Sequence, residues 1–417
     1  MGDSDIRARI EEANTEALRR MLSAQPVLVD VMPLSAFDPS VTGLSLTHSG
    51  PPVTWARMSG AQRGAVYAAA SYEGWAASRE ETDVLAASGR IRFIPNHALR
   101  GVGPMAGVVS PSMHVWVVQD KVTGKCSYSS TEYDAFFGAY DDEALDELRR
   151  WNRIIYPAIG RALRSMGGLE LKPLMTQALT MGDELHSRQV AASALLAKRL
   201  AAAIVRTSSV EDAAATLTEL AENELTFLPV SMAACKVTLL AAEGIPYCTV
   251  VTAMARNGTD FGIRVSSLGD RWFVAPAPDV QGVFFPGYGP GDAGPDIGDS
   301  AITETNGLGA FAAAAAPAIA GLVGSSPSEL IAYSREMRAI TVGTNPNFGI
   351  PQLDFEGTAT GIDLRKVVQT GIAPIIDTAS AHKDPGHRIV GAGTSRAPLA
   401  CFQAALEAWA KQYLHQA

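Results

Sequence analysis

The densest run of chemically capable side chains is Met181-Gly-Asp-Glu-Leu-His-Ser-Arg-Gln189, which sets Asp183, Glu184, His186 and Arg188 close together. Asp183 and His186 are three apart, so on a helix they share a face. A carboxylate that orients a histidine makes a general base. The apolar stretches Leu174 to Leu179 and Val190 to Leu196 flank the run and favour its burial, and buried charges need partners. The plainer reading is a solvated, charged helix face. The Asp183–His186 pair could also ligate a metal, but no neighbouring residue completes a ligand set and the spacing is not HExxH, so metal is the weaker reading. The polar chemistry of a general base requires neither a metal nor an organic cofactor.

A second run begins with a Gly/Pro loop from Gly287 and gathers Asp296, Asp299, Ser300, Thr303, Glu304, Thr305 and Asn306 before an Ala-rich stretch, Ala310 to Ala316. Asp299 or Ser300 suits the N-cap of a helix. The free N–H groups of that first turn would form an anion site. Glycines at 287, 289, 291, 294 and 298 let backbone approach a ligand. A capped helix under an irregular loop is the alternative. Further candidates are Arg256 and Asn257 in a turn before Gly258, Asp363 beside a strand, and His382 and Lys383 among glycines, where cations and freed N–H groups suit an anion. His97 and Arg100 sit in another Gly/Pro segment. There is no Walker loop, no GxGxxG after a strand and no Gly-x-Ser-x-Gly elbow.

The totals narrow the class. A 417-residue chain has room for two or three domains. Its 47% hydrophobic and 18% charged residues are those of a globular protein. The net charge of −9 argues against a nucleic-acid partner. Four scattered cysteines imply neither zinc nor a disulfide framework. No apolar leader opens the sequence, and the run from Leu308 to Val323 is too weakly apolar to span a bilayer. A cytoplasmic protein without a membrane partner is expected.

The elements that must position these residues follow from periodicity. Residues 5–23 read as an amphipathic helix, Val27 to Val31 as a buried strand, and Ala61 to Ala77 as a helix capped by Ser59. Ile91 to Ile94 and Met113 to Gln119 read as strands, the latter returning through Gly124 to Cys126–Ser130. From Asp141 the period becomes helical, with a kink at Pro157, and helices continue through 174–205 and 210–225. After a helix from Met232 to Ala242, Asn257-Gly258 between apolar runs signals a hairpin within an antiparallel meander. Leu364 to Val368 and Pro374 to Ile376 read as strands, and Ala397 to Tyr413 as a closing helix. The expected fold is α+β, with an N-terminal mixed domain (1–140), an all-helical domain (141–230) and a C-terminal mixed domain (231–417).

Several longer strings carry a resemblance: Ser49-Gly-Pro-Pro, Val102-Gly-Pro-Met-Ala-Gly-Val, Met181-Gly-Asp-Glu, Met254-Ala-Arg-Asn-Gly-Thr-Asp-Phe-Gly, Asp296-Ile-Gly-Asp-Ser-Ala-Ile-Thr-Glu-Thr, Gly361-Ile-Asp and Ala381-His-Lys. Over nearly its whole length the chain resembles the YlbE-like family. That resemblance implies an α+β fold with a helical domain between two mixed ones. One group of that family resembles a subunit of an oxamate carbamoyltransferase of allantoin breakdown, which moves a carbamoyl group between oxamate and phosphate together with partner proteins. The sequence departs from the family's pattern at His186-Ser-Arg-Gln189, at Pro95-Asn-His-Ala-Leu-Arg100 and near Thr131-Glu-Tyr133.

The expected function is carbamoyl or acyl transfer on a small amide or carboxylate, with phosphate or carbamoyl phosphate as second substrate. His186, oriented by Asp183 and beside Glu184, or else His97 or His382, moves the proton. Arg188, Arg256, Lys383 and the N–H groups from Ser300 to Thr303 hold anionic groups. Asn257, Thr305 and Asp363 complete the binding set, and Asp299 and Glu304 bind amide N–H groups. A C–N hydrolase or lyase and a non-catalytic ligand-binding subunit are the alternatives. Partner subunits and a homo-oligomer are expected.

Overall fold

In the computed structural model, which describes residues 3–130 and 134–414, the chain is α+β. Met1 and the departure at Thr131–Tyr133 lie outside the described residues. The architecture is organised on the helix Leu228–Ala241, whose every residue is buried. A helix apolar all round has no solvent face and must be enclosed. Here the enclosing elements are a five-stranded sheet and the first helix, Asp3–Ser23. Ser127 Oγ reaches from the sheet to Ala233 O of the buried helix at 2.6 Å.

The five-stranded sheet runs in the order Gly101–Val102, Cys126–Ser129, His114–Asp120, Pro26–Pro33, Leu169–Glu170. The expected hairpin through Gly124 is present, with Trp116 opposite Ser129. Its last strand is a two-residue segment set among the helices of residues 142–222. Within these, Asp141 caps a helix by accepting from Ala144 N at 2.9 Å. Pro157 stands in the first turn of the helix Tyr156–Met166, directly after a π-helical turn, Trp151–Ile155; a proline there cannot supply the i→i−4 bond.

The C-terminal half holds a four-stranded sheet (Phe273–Pro276, Asp260–Val265, Val251–Asn257, Ile297–Gly298) and a three-stranded sheet (Gln281–Phe284, Ile389–Arg396, Ile375–Ala381). The Asn257-Gly258 turn joins two strands as expected, with Gly258 at φ 78°. The closing helix, Leu399–Tyr413, lays Phe402 and Trp409 on the four-stranded sheet's core.

Four local expectations are corrected. The helix after Ser59 ends at Tyr72, short of Ala77, and the chain turns at Gly74 with φ 70°. Leu364–Thr370 is a helix, not a strand, because Asp363 accepts from Arg365 N at its start and Gly371 turns left-handed at its end. The Ala-rich run is a 3-10 helix, Gly309–Ala315, without a side-chain cap. Residues 181–189 form a loop between the helices Leu171–Thr180 and Val190–Thr207, not a helix.

The halves of the chain are clamped by Asn14. Its Oδ1 accepts from Thr249 N at 2.9 Å, and its Nδ2 donates to Thr249 Oγ1 at 2.9 Å and to Asp363 Oδ2 at 3.3 Å. All three residues are buried, so truncation would orphan donors away from water. Asn14→Ala should lower stability by about 2 to 3 kcal/mol, read from denaturation midpoints. A loss below about 0.5 kcal/mol would mean that the clamp is dispensable.

Candidate functional site

The loop at 181–189 is built to hold one histidine. The Glu184 carboxylate folds back on its own loop, accepting from His186 N at 2.6 Å and Arg188 N at 2.5 Å. Leu185 takes φ 72°, a strained conformation for a branched side chain. Ser231 on the buried helix secures it by donating to Leu185 O at 2.9 Å. His186 therefore projects in a fixed direction. Its Nδ1 meets Glu304 Oε1 at 2.7 Å and Asp377 Oδ1 at 3.0 Å. Nδ1 carries one proton at most, and that proton goes to Glu304. Asp377 is buried, and among the described residues neither of its oxygens accepts a hydrogen bond.

Glu304 is held in turn. Thr303 Oγ1 lies 2.9 Å from its Oε2, and Ala310 N donates to Oε1 at 3.1 Å. Gly309, at φ 57°, is required here: a Cβ would stand 2.2 Å from Glu304 Oε1 and 3.1 Å from His186 Cβ. Electrostatics follow from this crowding. Burial raises the Glu304 carboxyl pKa against the pull of His186. Burial and then the Asp377 charge raise Glu184 well above the usual carboxylate range. For His186, burial opposes the charged ring, but the Glu304 and Asp377 carboxylates outweigh it and raise its pKa well above the usual value.

His186 also lines a cavity of about 150 Å³. The rest of the lining is largely apolar, including Met105, Leu228, Phe285 and Ile389, with Ser187, Ser300 and Thr378 as its other polar residues. Lining residues come from all three stretches of the chain. Behind this wall lies a buried ion pair: Arg256 bonds both oxygens of Asp296, at 2.9 and 2.8 Å. Arg256 also donates to Ser300 Oγ at 3.4 Å and to Thr378 Oγ1 at 2.9 Å. Thr378 passes its own proton to Asp296 Oδ1 at 3.1 Å. Ser300, which accepts from Arg256, is itself a lining residue of the cavity.

The remaining sequence candidates are dispersed. Asp183 does not orient His186; it accepts from Ala192 N at 2.8 Å at the start of the next helix. Arg188 donates to Gly182 O at 3.0 Å. Asn257 accepts from Thr259 N and Asp260 N inside its turn. Thr305 bonds back to Ala301 O, and Asp363 belongs to the Asn14 clamp. Asp299 is no helix cap: it accepts from Gly50 N, Gly103 N and Asn96 Nδ2 at 2.7, 2.9 and 3.2 Å. The N–H groups of Ile302 and Thr303 are consumed by Asp299 O and Ser300 O, so they do not form the expected anion site. His382 stacks on His387 at 3.8 Å, and Lys383, exposed, donates to Gly291 O at 2.5 Å. Gly287, Gly289 and Gly291 face open space. Asp377 and Thr378 carry no motif of their own: they follow Ile375 and Ile376 in the strand Ile375–Ala381. Their only sequence signal was membership of the polar run from Asp377 to Gly393.

A family model described as "Oxamate carbamoyltransferase subunit AllG" matches residues 91–300. The chain is 43% identical to "Uncharacterized protein YahG" of Escherichia coli (strain K12), over 99% of this chain and 89% of the relative. It is 41% identical to "Oxamate carbamoyltransferase subunit AllG" of the same organism, over 96% of this chain and 98% of the relative. A crystal structure of a conserved protein of unknown function from Enterococcus faecalis V583 superposes with a TM-score of 0.95 at 41% identity, covering 97% of this chain and 99% of that one. Among the described residues no helix is long and apolar enough to cross a membrane.

His97 lies apart from the cavity, edge-on to Trp272 at 5.2 Å, with Asp299 Oδ1 3.5 Å from its Nε2. Burial, helped by Lys236 and Arg264 and opposed by Asp299, pushes its pKa from 6.5 down to about 4. The folded chain thus binds fewer protons than the unfolded one across that window. The stability from keeping His97 neutral is complete above pH 6.5 and is lost as pH falls toward 4. Between pH 7 and pH 5 the loss should be about 2 kcal/mol, read as the shift in urea midpoint. In His97→Phe that part of the acid sensitivity should vanish; an equal shift in the variant would assign it elsewhere.

Proposed function

The chain belongs to the oxamate carbamoyltransferase subunit AllG family, and from that premise we propose that it binds a small carbamoyl- or carboxylate-bearing substrate as one subunit of a carbamoyl-transferring enzyme. The observation that carries this reading is His186, anchored at Nδ1 by a carboxylate pair and lining a small apolar cavity beside the Ser300 hydroxyl. With Nδ1 fixed, Nε2 is the nitrogen left for the cavity. Carbamoyl transfer passes through a tetrahedral carbon. A new C–O or C–N bond forms as the old one weakens, and charge gathers on the carbonyl oxygen. Donors aimed at that oxygen in a site of low dielectric stabilise it. In this reading His186 Nε2–H and Ser300 Oγ–H are those donors, and Arg256 acts through Ser300 as a positioning residue.

Oxamate, the compound in the AllG relative's name, is the substrate we favour: it is small, it carries an amide and it fits the scale of the cavity. Phosphate fits the chain alone less well. Among the described residues no lysine or arginine lines the cavity, and Arg188, Arg256 and Lys383 are bonded elsewhere. A phosphate-like second substrate would therefore draw its cations from a partner subunit. This favours an enzyme assembled from several chains over a hydrolase complete in this one.

The test is thermal stability of the isolated chain with oxamate, ureido acids and carbamoyl phosphate, since a ligand that binds only the folded state raises the midpoint. Oxamate or a ureido acid should raise it. Ser300→Ala should weaken that binding by roughly 1 to 3 kcal/mol and leave the unliganded midpoint nearly unchanged. His186→Gln should abolish transfer in the reconstituted complex. If no carbamoyl or carboxylate compound stabilises the chain, or Ser300→Ala binds like the parent, the reading fails.

A further inference from the structure

The carboxylates behind His186 are not balanced by the residues around them. Glu184, Glu304 and Asp377 are all buried, and the imidazole is the cationic group they share. The arginines close in sequence or space are committed elsewhere: Arg188 to Gly182 O and toward Asp183, Arg256 to Asp296. Other buried carboxylates in this part of the molecule have donors. Asp299 accepts two backbone N–H groups and an amide, Asp296 an arginine and two hydroxyls, Glu184 two backbone N–H groups. Asp377 is the exception, 1% exposed with both oxygens unbonded among the described residues and one of them 3.0 Å from His186 Nδ1. A buried acceptor without a donor is costly, and a cation would satisfy it.

We propose that His186 Nδ1, Glu304 and Asp377 bind one divalent cation of the Mn²⁺ or Zn²⁺ class at the back of the cavity wall. The three donor atoms lie within 4.8 Å of one another. The separations of 2.7 and 3.0 Å from Nδ1 compare with the ~3.0 Å (octahedral) to ~3.4 Å (tetrahedral) between adjacent ligands on a shell of ~2.1 Å radius. Only a small outward movement is needed to admit an ion. One imidazole with two carboxylates and no thiolate selects a borderline or harder divalent metal rather than copper(I) or an iron–sulfur cluster. On binding, the Nδ1 proton is displaced and the neutral ring keeps its proton on Nε2, facing the cavity. An ion would enter past His186 from the cavity that this residue lines. The support that a metal site needs around its ligands is also present: Thr303 and Ala310 N hold Glu304, and Glu184 holds the His186 backbone.

This site does not depend on the proposed reaction, so it is tested without substrate. Chelator-treated protein at pH 7.5 is titrated with Mn²⁺ and, separately, Zn²⁺, followed by calorimetry and, for Mn²⁺, by loss of the free-ion electron paramagnetic signal. One ion per chain is expected for at least one of the two metals. Asp377→Asn should weaken that binding at least tenfold, while Asp270→Asn, on an exposed surface carboxylate, should leave it unchanged. Should Asp377→Asn fail to fold, crystals of the unaltered chain soaked in Mn²⁺ decide the matter by anomalous scattering, with a peak expected among the three ligand atoms. No stoichiometric binding of either metal, unchanged affinity in Asp377→Asn, or a peak elsewhere overturns the proposal. Each of those results leaves the carbamoyl reading to stand or fall on its own ligand test.

Discussion

The structure depends on three buried carboxylates carried by one short segment, Asp296, Asp299 and Glu304. A carboxylate removed from water must find donors or a counter-charge, and each of these three finds them in a different part of the chain. Asp296 takes Arg256, Thr378 and Ser395, tying the four-stranded sheet to the three-stranded one. Asp299 takes Gly50 N, Gly103 N and Asn96, tying two N-terminal loops to the same segment. Glu304 takes His186 and Ala310 N, drawing in the loop between two helices of the middle stretch. The polar density that reads in sequence as a possible binding loop is in large part this set of internal ties. Gly298, at φ 122° with Met105 N 2.9 Å from where a Cβ would be, allows the segment to pass that close to the N-terminal backbone.

The cavity is a by-product of that convergence. Where the three stretches meet, their apolar residues leave an opening, and the polar residues reaching it are extensions of the ties behind it. Ser300 and Thr378 are each bonded to Arg256, and His186 to Glu304. The positions of the cavity hydroxyls are thus set by a guanidinium that never reaches the cavity itself. A planar donor fork fixed by a bidentate carboxylate has little freedom to turn. Rigidity of this kind is what a site for a small, weakly anchored ligand needs, because few contacts are available to orient it.

How much of this was legible follows from where the information sits. The first helix, the strand pair around Gly124 and the Asn257-Gly258 hairpin declare themselves locally, by period or by turn chemistry, and the α+β class follows from them. The runs around His186 and Glu304 stand out because polar residues are dense between apolar ones. Their meeting does not, since nothing in either run names the other. The loop at 181–189 reads as a helix because Asp183 and His186 have helical spacing. What prevents the helix is Glu184 bonding its own backbone and Leu185 held left-handed by Ser231, a residue far along the chain. Leu364 to Val368 reads as a strand because of the paired valines Val367 and Val368, until the Asp363 cap is weighed. Asp377 and Lys236 are both hidden in buried elements: Lys236 in a helix that is otherwise mostly core, Asp377 in a strand where Thr378 and Ser380 are polar too, so local pattern marks neither out.

That last category is the informative one. Polar residues in the core fall into two kinds according to their partners. Lys236, fully buried in its apolar helix, lies 3.2 Å from Glu243, and Asp296 and Asp299 are saturated with donors. Such groups are accounted for by folding alone, since their removal would leave partners stranded. Asp377 is of the other kind. Among the described residues its oxygens take no hydrogen bond; its charge supports the protonated His186 ring, and it raises the electrostatic cost of Glu184 and Glu304 beside it. The backbone at Leu185 and the tight passage at Gly309 add strain and steric constraint at the same point. Folding by itself gives no reason to gather an unbonded carboxylate, two further acids and a strained loop around one histidine at the wall of a cavity. Such a cluster persists where something that binds there supplies the missing positive charge.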